Sequence, residues 1–204
     1  MKNLLVILLG LISLFFASAS HIAFADDVQD GLSSYKAGEY NNAHKLFSPL
    51  AEEGDALAQL LFGVMHEQGQ GVPQDYREAA KWYQLSAVQG NASAQNLLGL
   101  IFEKGRGFPK DLIEAAKWYQ LSADQGDAKA QLTLGVMYSS GQGVPQDYAS
   151  AHMWWDICGS GGDKDCVKNR NIVEKEMSPS QIEKAQDMAR NWKLNVVKGT
   201  CSKS

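Results

Sequence analysis

The sequence repeats itself every 36 residues, and that period limits the fold more than any other feature of the chain. The stretch Glu78 to Ala87 recurs letter for letter as Glu114 to Ala123, and Gly69 to Tyr76 recurs two periods later as Gly141 to Tyr148. Single positions keep the same step: Gly54, Gly90, Gly126 and Gly162; Asp55, Asn91, Asp127 and Asp163; Pro73, Pro109 and Pro145; Trp82, Trp118 and Trp154. A period of about 20 to 50 residues marks an array in which each unit buries its apolar face against its neighbours.

Each unit reads as two helices. After Pro73 and Asp75, small or apolar residues fall at Ala79, Trp82, Tyr83, Ser86 and Ala87, the spacing of one helical face. Asp75, Asp111 and Asp147 stand where an N-cap side chain would accept the first free backbone N–H groups. Gly90 permits a turn, and Asn91 caps a second helix with the stripe Ala94, Leu97, Leu98, Ile101 and Phe102, matched by Ala130, Leu134, Met137 and Tyr138. Gly105 and Gly107 end that helix, and Pro109 prevents its continuation. Small residues at Ser86 and Ala94 fit a close crossing of the paired helices. Trp82, Trp118 and Trp154 are expected as the core filling between units, with Gly63, Gly99 and Gly135 at a matching step on the second helices.

The array extends beyond the clear copies. Tyr40, Ala43, Leu46, Phe47, Ala51 and Gly54 lie one period before Tyr76, Ala79, Trp82, Tyr83, Ala87 and Gly90, so a degenerate unit is expected over about 27–54, with helices near 28–37 and 40–52. Full repeats follow at about 55–90, 91–126 and 127–162. Asp163 opens a terminal unit whose stripe is broken by Lys164, Asp165 and Lys168. Ser178-Pro179-Ser180-Gln181 then spells a capping box with proline at the first helical position, ahead of Ile182, Ala185, Ala189 and Trp192 on one face. This predicts a capping helix ending near 195 and a flexible tail over 196–204.

The N-terminus reads as an export signal. Lys2 precedes an apolar run from Leu4 to Phe16, and small residues lead to Ala23-Phe24-Ala25. The run is too short to span a bilayer core of roughly 30 Å. With a cut after Ala25, residues 26–204 form one helical-repeat domain, soluble and exported to the periplasm or beyond, without stable membrane insertion. Removing Lys2 from 19 basic residues leaves 18 against 23 acidic, a net charge of −5. That balance disfavours nucleic acid, whose phosphates call for a basic face.

The pattern A-x-x-W-Y-x-x-(small)-A-x-x-G, then A-x-x-x-L-G, then G-x-G-(V/F)-P over 54–162 resembles the Sel1-like repeat family, relatives of the tetratricopeptide repeats. Phe62 departs from the leucine of the L-G step before Gly63. The resemblance implies an all-α solenoid, a right-handed superhelix of antiparallel helical hairpins with a C-terminal capping helix. It also implies a non-catalytic protein-interaction scaffold of the bacterial cell envelope, regulating or assembling envelope proteins. Its partner would be a protein or peptide.

Cys158 occupies the position of Ser86 and Ser122, and Cys166 that of Ala94 and Ala130. In an exported chain this pair suits a disulfide, and two buried thiols are the other reading. The resemblance implies the bridge, because a C-x7-C pair marks the cysteine-rich secreted branch of the family. Cys201 is left over.

No catalytic, metal or cofactor site is expected. His44, His66 and His152 show no ligand spacing, and His66 takes the place of Phe102 and Tyr138. Ser33-Ser34-Tyr35-Lys36 matches S-x-x-K, the basis for an alternative reading as a β-lactam-binding or β-lactamase-like protein. The companion S-D-N and K-T-G motifs are missing. A secreted factor acting on host cells is a third reading. Lys81, Gln84, Lys117, Gln120 and Asp156 are the candidate polar lining of a partner-binding face. Trp155, standing where Tyr83 and Tyr119 stand, is its aromatic candidate.

Overall fold

The computed structural model describes residues 27–201, with side chains described to residue 195. The described residues are all helical apart from their connections, and no strand occurs among them. The chain divides into two compact units, one ending at Ser86 and the other beginning at Ala87.

In the first unit, α1 (residues 27–36) leads into α2 (Tyr40–Glu52), α3 (Ala56–Gln68) and α4 (Tyr76–Val88), which ends just past the unit boundary. Ala43, Phe47, Leu50, Ala51, Ala58, Phe62 and Met65 form its core, covered by Val28, Leu32 and Tyr35 of α1 and by Trp82. The short α1 can lie close because Gly31 faces the Phe47 ring, where a Cβ would stand 2.5 Å from a ring carbon.

The second unit contains α5 (Ala92–Lys104), α6 (Leu112–Asp124), α7 (Ala128–Ser140), α8 (Tyr148–Ser160), α9 (Lys164–Val173) and α10 (Pro179–Cys201), with one 3-10 turn at Glu174–Glu176. Consecutive helices pack as hairpins, and α10 lies on α8. Asn91, Asp127 and Asp163 accept N–H bonds from Ala94, Ala130 and Cys166 at 2.8–3.1 Å, which fixes where each second helix begins. Asp75, Asp111 and Asp147 cap the first helices in the same way. The three-residue turn between α6 and α7 needs Gly126, whose φ is +93°.

A buried glutamine knits each hairpin. Gln59, Gln95 and Gln131 donate to the carbonyls of Ala51, Ala87 and Ala123, each at 3.0 Å. Ser122 Oγ donates to the Ala92 carbonyl at 2.8 Å, tying α6 back to the preceding helix, as Ser86 does to Ala56 at 2.6 Å.

The α8–α9 hairpin replaces all of this. Cys158 stands for the serine and is bridged to Cys166, with Cα atoms 5.9 Å apart. Val167 stands for the glutamine and packs at Gly159.

The capping box forms as its spelling predicts. Ser178 N–H donates to Gln181 Oε1 at 2.8 Å, and Gln181 N–H donates to Ser178 Oγ at 3.3 Å. Trp192 of α10 meets Trp154 edge to face, with centroids 6.1 Å apart. The helix runs on to Cys201, past the boundary at 195 read from the sequence, as no proline follows Pro179 and the one glycine, Gly199, falls in its last turn. The expected export signal lies outside the described residues, and no described helix is long and apolar enough to cross a membrane.

Candidate binding surface

The most regular side-chain device joins each second helix to the next first helix. Tyr83 and Tyr119 are fully buried, each ring closely packed against a glycine, Gly63 or Gly99. Their hydroxyls donate to Glu67 Oε2 at 2.6 Å and Glu103 Oε2 at 2.7 Å. Burial, then the Glu103 carboxylate, pushes the Tyr119 hydroxyl well above the usual phenol range. Burial works to raise Glu103 in turn, but hydrogen bonds from Lys104 and Tyr119 and the charges of Lys104 and Lys110 bring it below the usual carboxylate range.

One period later both partners change. Trp155 replaces the tyrosine, Ser139 replaces the glutamate, and the indole N–H turns to the Leu132 carbonyl at 3.2 Å. Ser139 Oγ bonds within its own helix, to the Val136 carbonyl at 2.9 Å.

Two pockets open on the second-helix side of this unit at equivalent places. The first, about 440 Å³, is lined by Leu100, Glu103, Tyr119, Thr133 and Val136 among others. The second, about 210 Å³, is lined by Ser139, Tyr148, Trp155, Asn169, Ile172, Val173 and Glu176. Glu103 and Ser139, Tyr119 and Trp155, Thr133 and Asn169, and Val136 and Ile172 are pairs one period apart, so the pockets are copies of one design. Their rims differ in charge: Lys104 and Lys129 flank the first, and Glu176 flanks the second. The repeated glutamate–tyrosine pairs, the hairpin glutamines and these pockets were all legible as a 36-residue step. The polar members, however, carry no apolar periodicity to draw attention to them.

The residues named from the sequence have different local surroundings. Lys81 pairs with Glu78 at 3.3 Å and stands 5.5 Å over the Trp82 ring, and Gln84 is exposed on the same helix. Lys117 pairs with Glu114 at 2.8 Å, and Gln120 Nε2 donates to Asp124 Oδ1 at 3.0 Å. Lys117 and Gln120 share a separate groove of about 260 Å³ with Ile113, Leu134 and Tyr138. Asp156 does not join them, because Arg170 holds it at 2.8 Å and Lys193 at 3.7 Å. Trp155 is not a surface aromatic either: it is 4% exposed, drawn inward by Gly135 and the Leu132 carbonyl.

The tyrosine, rather than the tryptophan, is the deepest ring of each repeat. Trp82 and Trp118 remain half-buried, and only Trp154 is sealed, under α10.

Other chemical candidates have local structural roles. Ser33 is exposed, and its hydroxyl donates to the Gln29 carbonyl at 2.8 Å; Lys36 is exposed as well. Asp163 lies beside Cys158 and Cys166, but the sulfurs are bonded to each other and the carboxylate caps α9. His152, which takes the place of Ala80 and Ala116, is buried with Nε2 2.8 Å from Glu174 Oε1. Nothing in the sequence spacing signalled that pairing, because Glu174 takes the place of Phe102 and Tyr138, and no earlier copy pairs these two positions.

Comparison with known proteins resolves the architecture. The Sel1 repeat model matches residues 56–91, 92–127 and 128–157. The chain belongs to the Sel1 repeat family. Sel1 repeats are in general protein-interaction scaffolds without catalysis of their own. A Sel1 repeat protein from Oxalobacter formigenes, solved by crystallography, is 33% identical with a TM-score of 0.69, over 71% of this chain and 60% of that one. A protective antigen present in uropathogenic Escherichia coli strains, which displays the same repeat fold, is 32% identical with a TM-score of 0.68, over 74% of this chain. This Sel1 repeat chain thus spans 60% and 32% of the lengths of those two structures. No curated protein matches it at significance.

Proposed function

We propose that this Sel1 repeat protein is an exported scaffold of the bacterial cell envelope that holds another polypeptide and performs no chemistry itself. The observation that carries the reading is the pair of equivalent open pockets on the second helices, one repeat apart and differently charged. Serial pockets of one design suit an extended chain, which presents side chains at a regular interval. The internal disulfide fits an oxidising compartment. The mature protein would begin at Asp26.

The groove beside Lys117 and Gln120 is the second candidate surface, because the neighbouring Ile113 is 63% exposed. A photo-crosslinking side chain placed at Thr133 reports on the pocket face, and one at Lys117 on the groove face. Adducts with one distinct protein from Thr133, competed by the uncrosslinkable protein in excess, are expected. Self-adducts alone from both positions would refute the scaffold reading, and adducts from Lys117 only would move the surface to α6.

A further inference from the structure

The second pocket differs from the first in a way that names a ligand. In the two earlier repeats the chain supplies its own carboxylate, as Glu67 and Glu103 receive the tyrosine hydroxyls. At the third, Ser139 is too short to do so and Trp155 has no hydroxyl to offer. The pocket's carboxylate is instead Glu176, which comes from the 3-10 turn and stands at the rim. Among the described residues neither Glu176 nor Asn169 has a side-chain partner. The walls are apolar: Ile172, Val173 and the accessible edge of Trp155.

We propose that this pocket takes an arginine side chain of the bound polypeptide, an inference that rests on the scaffold reading above. A guanidinium carries donors in a planar fork that matches a carboxylate, and its three-carbon stem buries along apolar walls while the head stays at the rim. Glu176 and Asn169 both line the pocket, so a carboxylate and an amide oxygen are there to accept from the fork. An acidic or phosphorylated residue is repelled by Glu176. An aliphatic residue would cover the Asn169 and Glu176 polar atoms without pairing them, which is costly. For a sugar ring Trp155, 4% exposed, offers no open face, which leaves Tyr148 as the pocket's one half-buried aromatic, and the charge of Glu176 favours a cation over a neutral sugar.

The Trp155 indole N–H reports on the site, being one of five tryptophans and hydrogen-bonded at the pocket floor. Its resonance is followed in the full-length protein during titration with N-acetyl-arginine methylamide. The expected result is a saturable shift with a dissociation constant on the order of millimolar. The uncharged N-acetyl-norleucine methylamide should bind about five-fold more weakly or worse, and Glu176→Gln should remove the difference while leaving the melting temperature unchanged. Equal binding of the norleucine compound, binding untouched by Glu176→Gln, or saturation by methyl glucoside in place of arginine would each overturn the proposal. So would the absence of any shift up to about 50 mM. A failed titration beside successful crosslinking from Thr133 sinks the arginine pocket alone, whereas failed crosslinking sinks the scaffold.

Discussion

Gly99 lies against the ring of Tyr119, so close that a Cβ at position 99 would stand 2.8 Å from a ring carbon. The same contact joins Gly63 to Tyr83 at 2.6 Å, and Gly135 lies against the Trp155 indole in the third copy. The missing side chain on one helix is what lets the aromatic ring of the next approach its backbone and bring its polar tip to a fixed acceptor.

This relationship sets the outcome of Gly99→Ala. Replacing a mid-helix glycine with alanine gains up to about 1 kcal/mol of helix propensity where there is room. Here the buried Tyr119 ring cannot yield, and overpacking costs roughly 1–3 kcal/mol. A net loss of stability is expected in urea unfolding, recovered in part by the double variant Gly99→Ala/Tyr119→Leu. Unchanged or raised stability of the single variant would show that the ring moves freely.

The disulfide substitutes for hydrogen bonds used elsewhere in the array. Cys158→Ala/Cys166→Ala should lose roughly 2–3 kcal/mol, the value expected from closing a loop of this length. Cys158→Ser/Cys166→Ala restores the serine–alanine pair of the earlier repeats, and the Ala128 carbonyl is 3.6 Å from Sγ in the present structure. The serine variant should therefore be more stable than the alanine variant by about 1 kcal/mol. Identical unfolding midpoints for the two would refute the equivalence.

Acid should weaken the Tyr119–Glu103 link. Glu103 is held below the usual carboxylate range in the folded protein, so its contribution is present above that range and is lost as pH falls through the depressed value. The melting temperature should drop less steeply below about pH 4.3 in Glu103→Gln than in the parent protein. Parallel pH profiles would mean that the carboxylate is not stabilised by folding.

His66 works in the neighbouring window. Burial lowers its pKa, outweighing the opposite pull of Glu78, so the folded protein favours the neutral ring. That preference is fully expressed above the ordinary histidine range of about 6.5 and is lost as pH falls below it. The ring meets Phe62 edge to face at 5.0 Å, and the equivalent repeat position carries Phe102. His66→Phe should keep that packing and abolish the loss of stability on mild acidification. Following the His66 ring protons through a pH titration tests the direction independently.

The linear order of residues was enough to determine the units, their caps and their turns. A 36-residue step repeats the local chemistry of helix start and stop, and these signals act over a few neighbouring residues. It also placed the cysteines at a helix crossing, where the bridge is found. What tertiary structure decided was which equivalent positions end up doing different work. Trp155 and Tyr119 share a register and are both buried, yet with the paired change of Glu103 to Ser139 the ring's polar tip bonds the Leu132 carbonyl instead of a glutamate. Asp156 and Gln120 share one too, but α9 and α10 bring Arg170 and Lys193 to the aspartate alone. His152 is buried in an alanine's place with Glu174, where earlier copies carry Phe102 and Tyr138, 2.8 Å from its ring nitrogen. A periodic sequence specifies each unit from within, whereas the fate of a side chain depends on what covers it, and at the last unit that cover comes from an α9 of altered sequence and from α10.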